Sequence, residues 1–245
     1  HNILTDQTLF GVGYGAGAVS DAGAGTGTTL GGIGLGYDYA SWRSQVKWTS
    51  NDMNGFKLAL AVMDPSAGTN ATTEGATGNP SGGLTSGSVD SDNLRYEADL
   101  SYAGAFDGGS YTAWVSGMVQ GEDNSNDNDS DAWTVGGTLA AAGFEAMAQY
   151  SDSSNQDDGA VEREWSQYIV QAGYRFAGTT LVSAQYAELE EDTSGVNEDE
   201  TEKWTVGVYH DVNANLKLVA EYTNVEKDDQ NLDTDIFSLG GFVFF

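Results

Sequence analysis

From about residue 41 onward the chain alternates between apolar and polar positions. Trp42, Val46 and Trp48 fall on one face, and Arg43, Gln45 and Lys47 on the other. Within residues 55–64, Phe56, Leu58, Leu60 and Val62 alternate with Lys57, Ala59, Ala61 and Met63. Leu94, Tyr96, Ala98, Leu100 and Tyr102 then oppose Arg95, Glu97, Asp99 and Ser101. A period of two with one apolar face predicts strands that meet an apolar medium on one side only. The same pattern predicts strands over 111–119, 133–139, 144–150, 168–176, 180–186, 204–210, 216–222 and 237–245, eleven in all. Helical periodicity is hard to find, and the fold class is all-β.

The connections alternate as regularly as the strands. Short ones fall at 51–54, 104–109, 141–143, 177–178 and 211–215, and long polar ones at 65–92, 121–131, 151–164, 187–203 and 224–235. Strict short–long alternation means hairpins whose two ends face different compartments. Outer-membrane barrels are built this way, with tight periplasmic turns and long external loops. A soluble sandwich alternates apolar and polar residues too, but has no reason to sort its loops by length. Aromatic residues near the strand ends (Trp48, Tyr102, Tyr111, Trp133, Phe144, Tyr150, Tyr174, Tyr186, Trp204, Tyr222) fit the interfacial girdles of such a barrel.

Composition sharpens this picture. Only 39% of the 245 residues are hydrophobic and the net charge is −28, which in a soluble chain would point to disorder. Six Trp, twelve Tyr and nine Phe argue for a barrel with a wet inside and an apolar outside instead. There is no cysteine, so disulfides and thiolate chemistry are excluded, and no apolar run is long enough for a transmembrane helix. The chain opens on His1 with no signal peptide, as expected of a mature, trimmed or shortened front. Residues 1–40 differ from the rest: Gly-rich, little alternation, and charges only at Asp6, Asp21 and Asp38.

Two segments resemble the Gram-negative general diffusion porins. Arg43, the string Lys47-Trp48-Thr49-Ser50 and the turn ending in Gly55-Phe56 resemble the strands that follow the inward-folded third loop of that family. The family often has a Ser-Pro turn where this chain has Asn51-Asp52-Met53-Asn54. At the C-terminus, Phe237, Leu239, Gly241, Val243 and Phe245 form an apolar ladder closing on a terminal Phe, similar to the signal read by the barrel-assembly machinery. The resemblance implies an antiparallel transmembrane barrel of sixteen strands. Residues 1–40 would be the constriction loop, residues 41–245 would carry the last eleven strands, and the first five would be absent. The alternative is a complete twelve-stranded barrel, with its extra strand in residues 30–39. It further implies a homotrimer in the outer membrane, in contact with lipid and lipopolysaccharide, passing small hydrophilic solutes and ions.

By parity Arg43, Lys47, Lys57 and Arg95 point into the lumen, where a charge avoids the ~2–4 kcal/mol cost of facing lipid. With Glu97 and Asp99 on the same face, they are expected to line a constriction, opposed by the loop acids Asp6 and Asp21. The plainer reading is that these charges only pair with Glu97 and Asp99 across strands. The acid-rich external loops point to cation preference. Asp127, Asp129 and Asp131 open like a calcium loop, but Ala132 and Thr138 stand where Gly and Glu are needed, so no specific metal site and no cofactor are expected, and loose divalent binding is the alternative. Only His1 and His210 exist, no strained Gly-x-Ser-x-Gly turn is present, and catalysis is not expected. The net charge disfavours nucleic acid. Trp114 and Tyr209 are the two aromatics placed to face inward, too few for a sugar-stacking ladder.

Overall fold

The computed structural model describes residues 44–64, 94–120, 130–157, 161–193, 199–228 and 232–245. Eleven strands form one antiparallel sheet in which each pairs with the next in sequence. They are β1 (Gln45–Thr49), β2 (Phe56–Met63), β3 (Arg95–Phe106), β4 (Gly109–Gln120), β5 (Ser130–Ala141), β6 (Phe144–Asp157), β7 (Val161–Phe176), β8 (Thr180–Thr193), β9 (Asp199–Asn213), β10 (Leu216–Lys227) and β11 (Leu232–Val243). Every expected strand is present. The expected extra strand at 30–39 and the constriction loop at 1–40 lie outside the described residues.

One end of the sheet is closed by tight turns. Asn54 and Gly55 both have positive φ (57° and 93°), the two-residue hairpin geometry whose twist matches the flanking strands. Ala142–Gly143 (50°, 85°) and Ala177–Gly178 (48°, 76°) repeat it with alanine in the left-handed position. The β3–β4 turn is shorter than expected: residues 104–106 and 109 join the strands, leaving Asp107 and Gly108.

At the other end the strands run on past the expected boundaries. Much of what reads as loop at 151–164, 187–203 and 224–235 is paired strand in β6–β11. The reason is physical: alternation signals lipid on one face, and once a hairpin rises above lipid both faces are wet. Backbone pairing continues there without the pattern that advertises it.

The outward face is apolar at every position of the central band. Val135, Leu139, Val170, Val182, Val206, Val208, Leu218 and Leu239 are all exposed. Two rows of rings bound this band. Toward the long ends, Trp133 packs on Tyr150, Tyr168 on Tyr186 and Trp204 on Tyr222. Toward the turns, Phe56 meets Tyr102, Tyr102 meets Tyr111, and Tyr174 meets both Phe144 and Phe176. The rows stand six to eight residues apart on β6 and β7, roughly 20–27 Å along a strand. Counted with the rings themselves, that stretch approaches the ~9–11 residues of a tilted membrane-spanning strand, with aromatic girdles at both ends. Among the described residues no helix is long and apolar enough to cross a membrane. The inward face is the more buried one, as on the concave side of a curved sheet.

Candidate functional site

The inner wall is polar, and its charges are sorted. All seven basic residues with described side chains (Lys47, Lys57, Arg95, Arg175, Lys203, Lys217 and Lys227) sit at inward parity. Six acids share that face: Glu97, Asp99, Glu145, Glu191, Asp211 and Glu221. The wall is therefore nearly neutral.

Several of these charges are held by one another. Arg95 Nη2 lies 2.6 Å from Glu97 Oε1, with both side chains almost completely buried. This pair runs along β3, two residues apart, rather than across strands. Ser116 Oγ donates to Asp99 Oδ2 at 2.7 Å, and Lys47 lies within electrostatic reach of the same carboxylate. Lys57 faces inward beside Ser101 and is exposed. Lys47, Lys57, Arg95, Glu97 and Asp99 thus share one region of wall on β1–β3. Arg43, Asp6 and Asp21 lie outside the described residues.

A second charged group sits at the turn end. Arg175 Nε is 2.6 Å from Glu145 Oε1, and Asp211 bridges Arg175 and Lys217 at 3.7 and 3.6 Å. Arg175 and Glu145 were not singled out from the sequence, where nothing marks them as a network. Lys203 was also missed. It reads as the last residue of a loop, yet it is buried on β9 at inward parity.

Between the charged groups the wall is built of amides and hydroxyls. Gln171 Nε2 donates to Gln185 Oε1 at 2.7 Å, Ser151 Oγ to Thr134 Oγ1 at 3.0 Å, and Thr205 and Thr223 meet at 2.9 Å. Trp114 and Tyr209 face inward as expected, but on β4 and β9, five strands apart, and Phe242 on β11, not expected there, shares that face. Tyr209 packs with Leu181 and Val219 and donates to Glu221. Trp114 lies over Gly136, where any β-carbon would run into the indole. Among the described residues, no stacked aromatic track is present.

The external acids are on strands, not only in loops, and most point away from the lumen. Asp131, Asp152, Glu188, Glu190, Glu200, Glu202, Glu226, Asp233 and Asp235 share parity with the outward rings and lie just beyond them. Ring hydroxyls tie several down: Tyr168 donates to Glu188 at 2.7 Å, Tyr186 to Glu188 at 2.9 Å and to Glu202, and Tyr222 to Asp235 at 2.6 Å. Those bonds hold the Asp235 carboxyl below its ordinary pKa, Tyr222 contributing most and Asn224 next. Asp131, the last acid of the calcium-like string, instead accepts from Ser154 at 2.8 Å. His210 is exposed at the turn end, its Nδ1 2.8 Å from Thr180 Oγ1.

An apolar outer band between two aromatic girdles, around a polar inner wall, defines a membrane-spanning β-barrel protein. The profile of the Gram-negative porins matches residues 2–230, and the chain belongs to that family, whose members are non-enzymatic channels of the outer membrane. Solved structures agree in fold. The DcaP channel of Acinetobacter baumannii matches with a TM-score of 0.59 at 15% identity, over 86% of this chain and 64% of that one. A loop-deletion mutant of OmpT from Vibrio cholerae matches at 0.55 and 14% over 81% and 62%, and an anion-selective porin of Comamonas acidovorans at 0.55 and 13% over 81% and 54%. The chain spans about 60% of the length of the first structures it matches. No curated protein sequence matches it significantly.

Proposed function

We propose that this chain forms the wall of a passive, water-filled pore for small hydrophilic solutes and ions, with weak charge discrimination and a modest preference for cations. The observation that carries the reading is the wall itself: seven basic and six acidic side chains set among amides and hydroxyls, with Arg95 paired to Glu97 and Arg175, Glu145, Asp211 and Lys217 joined in one network. A balanced wall offers neither ion a continuous path of its own counter-charges. The excess of acid lies at the outer rim, largely outward, and reaches the pore mouth only as a field that decays within ~8 Å at physiological salt. Residues 1–40 are proposed as the segment that narrows the lumen, with Asp6 and Asp21 facing the Lys47–Lys57–Arg95 wall. The protein is further proposed to assemble as a trimer, the form in which OmpT of Vibrio cholerae is among the matches.

The test is single-channel current in planar bilayers under a salt gradient, at low and at high ionic strength. Large steps with a cation preference that fades as salt rises support the reading. Silence, or a selectivity indifferent to salt, overturns it.

A further inference from the structure

At the turn end the inner wall holds a recess of about 420 Å³. Ser110 and Ala140, partners across β4 and β5, form its inward lining, and Glu145 on β6 and Arg175 on β7 close one side. It opens toward the turns, where a β-carbon on Gly108 would meet nothing within 4 Å. The recess exists because two small side chains stand beside a charged pair. That pair is accessible: the Arg175 and Glu145 side chains are 28% and 19% exposed, against 1% and 0% for Arg95 and Glu97. Arg175 grips Glu145 side-on, Nε to Oε1 at 2.6 Å and Nη2 to Oε2 at 3.2 Å. Its Nη1 lies 3.7 Å from Asp211, and Lys217 Nζ lies 3.6 Å from the same carboxylate, both beyond hydrogen-bonding reach.

We propose that this recess binds zwitterionic solutes of the amino-acid or short-peptide type, with the carboxylate on Arg175 and the ammonium on Glu145. Side-on pairing consumes two of the guanidinium's five N–H donors. The two on Nη1 and the outer one on Nη2 remain, forming the end-on fork that takes a second carboxylate. Glu145, with two oxygens and about four lone-pair sites, still accepts from an ammonium. The charges also select against simpler ions. Glu145, Arg175, Asp211 and Lys217 follow one another as anion, cation, anion, cation. A lone anion drawn to Arg175 and Lys217 meets Glu145 and Asp211 as well, and a lone cation meets the reverse, so each gains little. A solute that carries both charges close together sets each against its opposite. An ion pair this exposed holds its partners weakly, so sharing them costs little. At the ~30 Å³ of a liquid water molecule per non-hydrogen atom, the recess holds roughly a dozen atoms, the size of a dipeptide. The proposal rests on the inner face being a wetted lumen wall, and it adds a solute class to that reading.

The test is saturation-transfer NMR on the folded chain in a non-ionic detergent, at neutral pH and low salt. Three probes are compared: alanyl-alanine, the anion N-acetyl-alanine and the cation alanine amide. The dipeptide should give a signal about fivefold above either singly charged probe, near the upper end for an exposed ion pair. Two variants redirect that preference rather than merely weaken it. Glu145→Gln leaves the cations in excess and should bring N-acetyl-alanine level with the dipeptide or above it. Arg175→Gln leaves the acids in excess and should do the same for alanine amide. A residue with only a structural part would lower all three signals together, and heat-modifiable gel mobility checks that both variants fold. Equal signals from the three probes, no signal from the dipeptide, or a preference unchanged in both variants overturns the site. The pore reading fails separately. Silence in bilayers with the dipeptide still bound removes conduction and keeps the site, and conduction without dipeptide binding does the opposite.

Discussion

Neutralising Glu202 should tighten the external ends of β8 and β9. Glu188 faces Glu202 there, and Glu190 faces Glu200, directly across the antiparallel pair. Carboxylate oxygens of Glu188, Glu200 and Glu202 all lie within 4.8 Å of one another. Two unit charges that close repel by about 0.9 kcal/mol even at the dielectric of bulk water. Three such contacts cost the folded rim roughly 2–3 kcal/mol before salt screening. The strain shows in Glu200, whose carboxyl is pushed above its ordinary pKa by burial first, then by Glu188, Glu202, Asp228 and Glu190. Glu202→Gln deletes two of the three contacts and keeps an acceptor for Tyr186. The expected gain is about 1.5 kcal/mol, or ~10-fold in amide-exchange protection. Hydrogen–deuterium exchange over 186–204, in micelles at about 20 mM and about 500 mM salt, reads it directly. At the higher salt the screening length falls to ~4 Å. Wild-type protection should therefore rise with salt, and the variant's should move little. The pH dependence has a fixed sign. Because the folded pKa of Glu200 is raised, folding binds a proton the unfolded chain has lost. Protection is greatest below the ordinary glutamate range and falls as pH climbs through the folded value. Wild-type exchange indifferent to salt, or a variant that exchanges as fast as wild type at low salt, would refute the reasoning.

Three further outcomes follow from other residues. Gly136→Val should displace the Trp114 indole and cost about 1–3 kcal/mol, read as a lower urea midpoint with altered tryptophan emission. Ala177→Asn should stabilise the β7–β8 hairpin by ~0.5–1 kcal/mol, since asparagine tolerates the positive φ better than alanine; a raised urea midpoint with unchanged conductance checks it. Lys47→Glu with Lys57→Glu turns the near-neutral wall acidic and should move the reversal potential toward cations at every salt concentration, because wall charges act where the ion passes. An unmoved potential would place those lysines away from the conducting path.

Sequence legibility stopped where lipid stops. Within the band each strand carried its own evidence: Phe56, Leu58, Leu60 and Val62 must face a single apolar medium, and no other register satisfies them. Above the band Glu188, Glu190, Glu200 and Glu202 look like any acidic loop, because a strand wet on both faces needs no alternation. Asn54–Gly55 announced its hairpin, while Ala142–Gly143 and Ala177–Gly178 did so less clearly, since alanine is not a turn residue by preference. Parity placed Lys47, Lys57 and Arg95 on the inner face. It could not say that Arg95 would pair along its own strand with Glu97, because that depends on rotamers rather than on period. Lys203 was lost in the same way as the acids around it, read as loop because its neighbours are charged.

The separation of charge across the sheet carries the functional argument. Lipid forbids charge on the outer band, so the described basic residues were left two places to go, the lumen or the outer rim, and all seven took the lumen. The rim went to acids, fastened in part by girdle tyrosines, so that one row of side chains serves as interfacial anchor and as partner to the charge above it. A net charge of −28 read from composition would suggest a strongly cation-selective tunnel. Sidedness removes much of that charge from the ion's path, because a carboxylate on the outward face acts on the mouth only through screened water. In the proposed pore, selectivity would therefore be set less by how many acids the chain carries than by which face of the strand each one occupies.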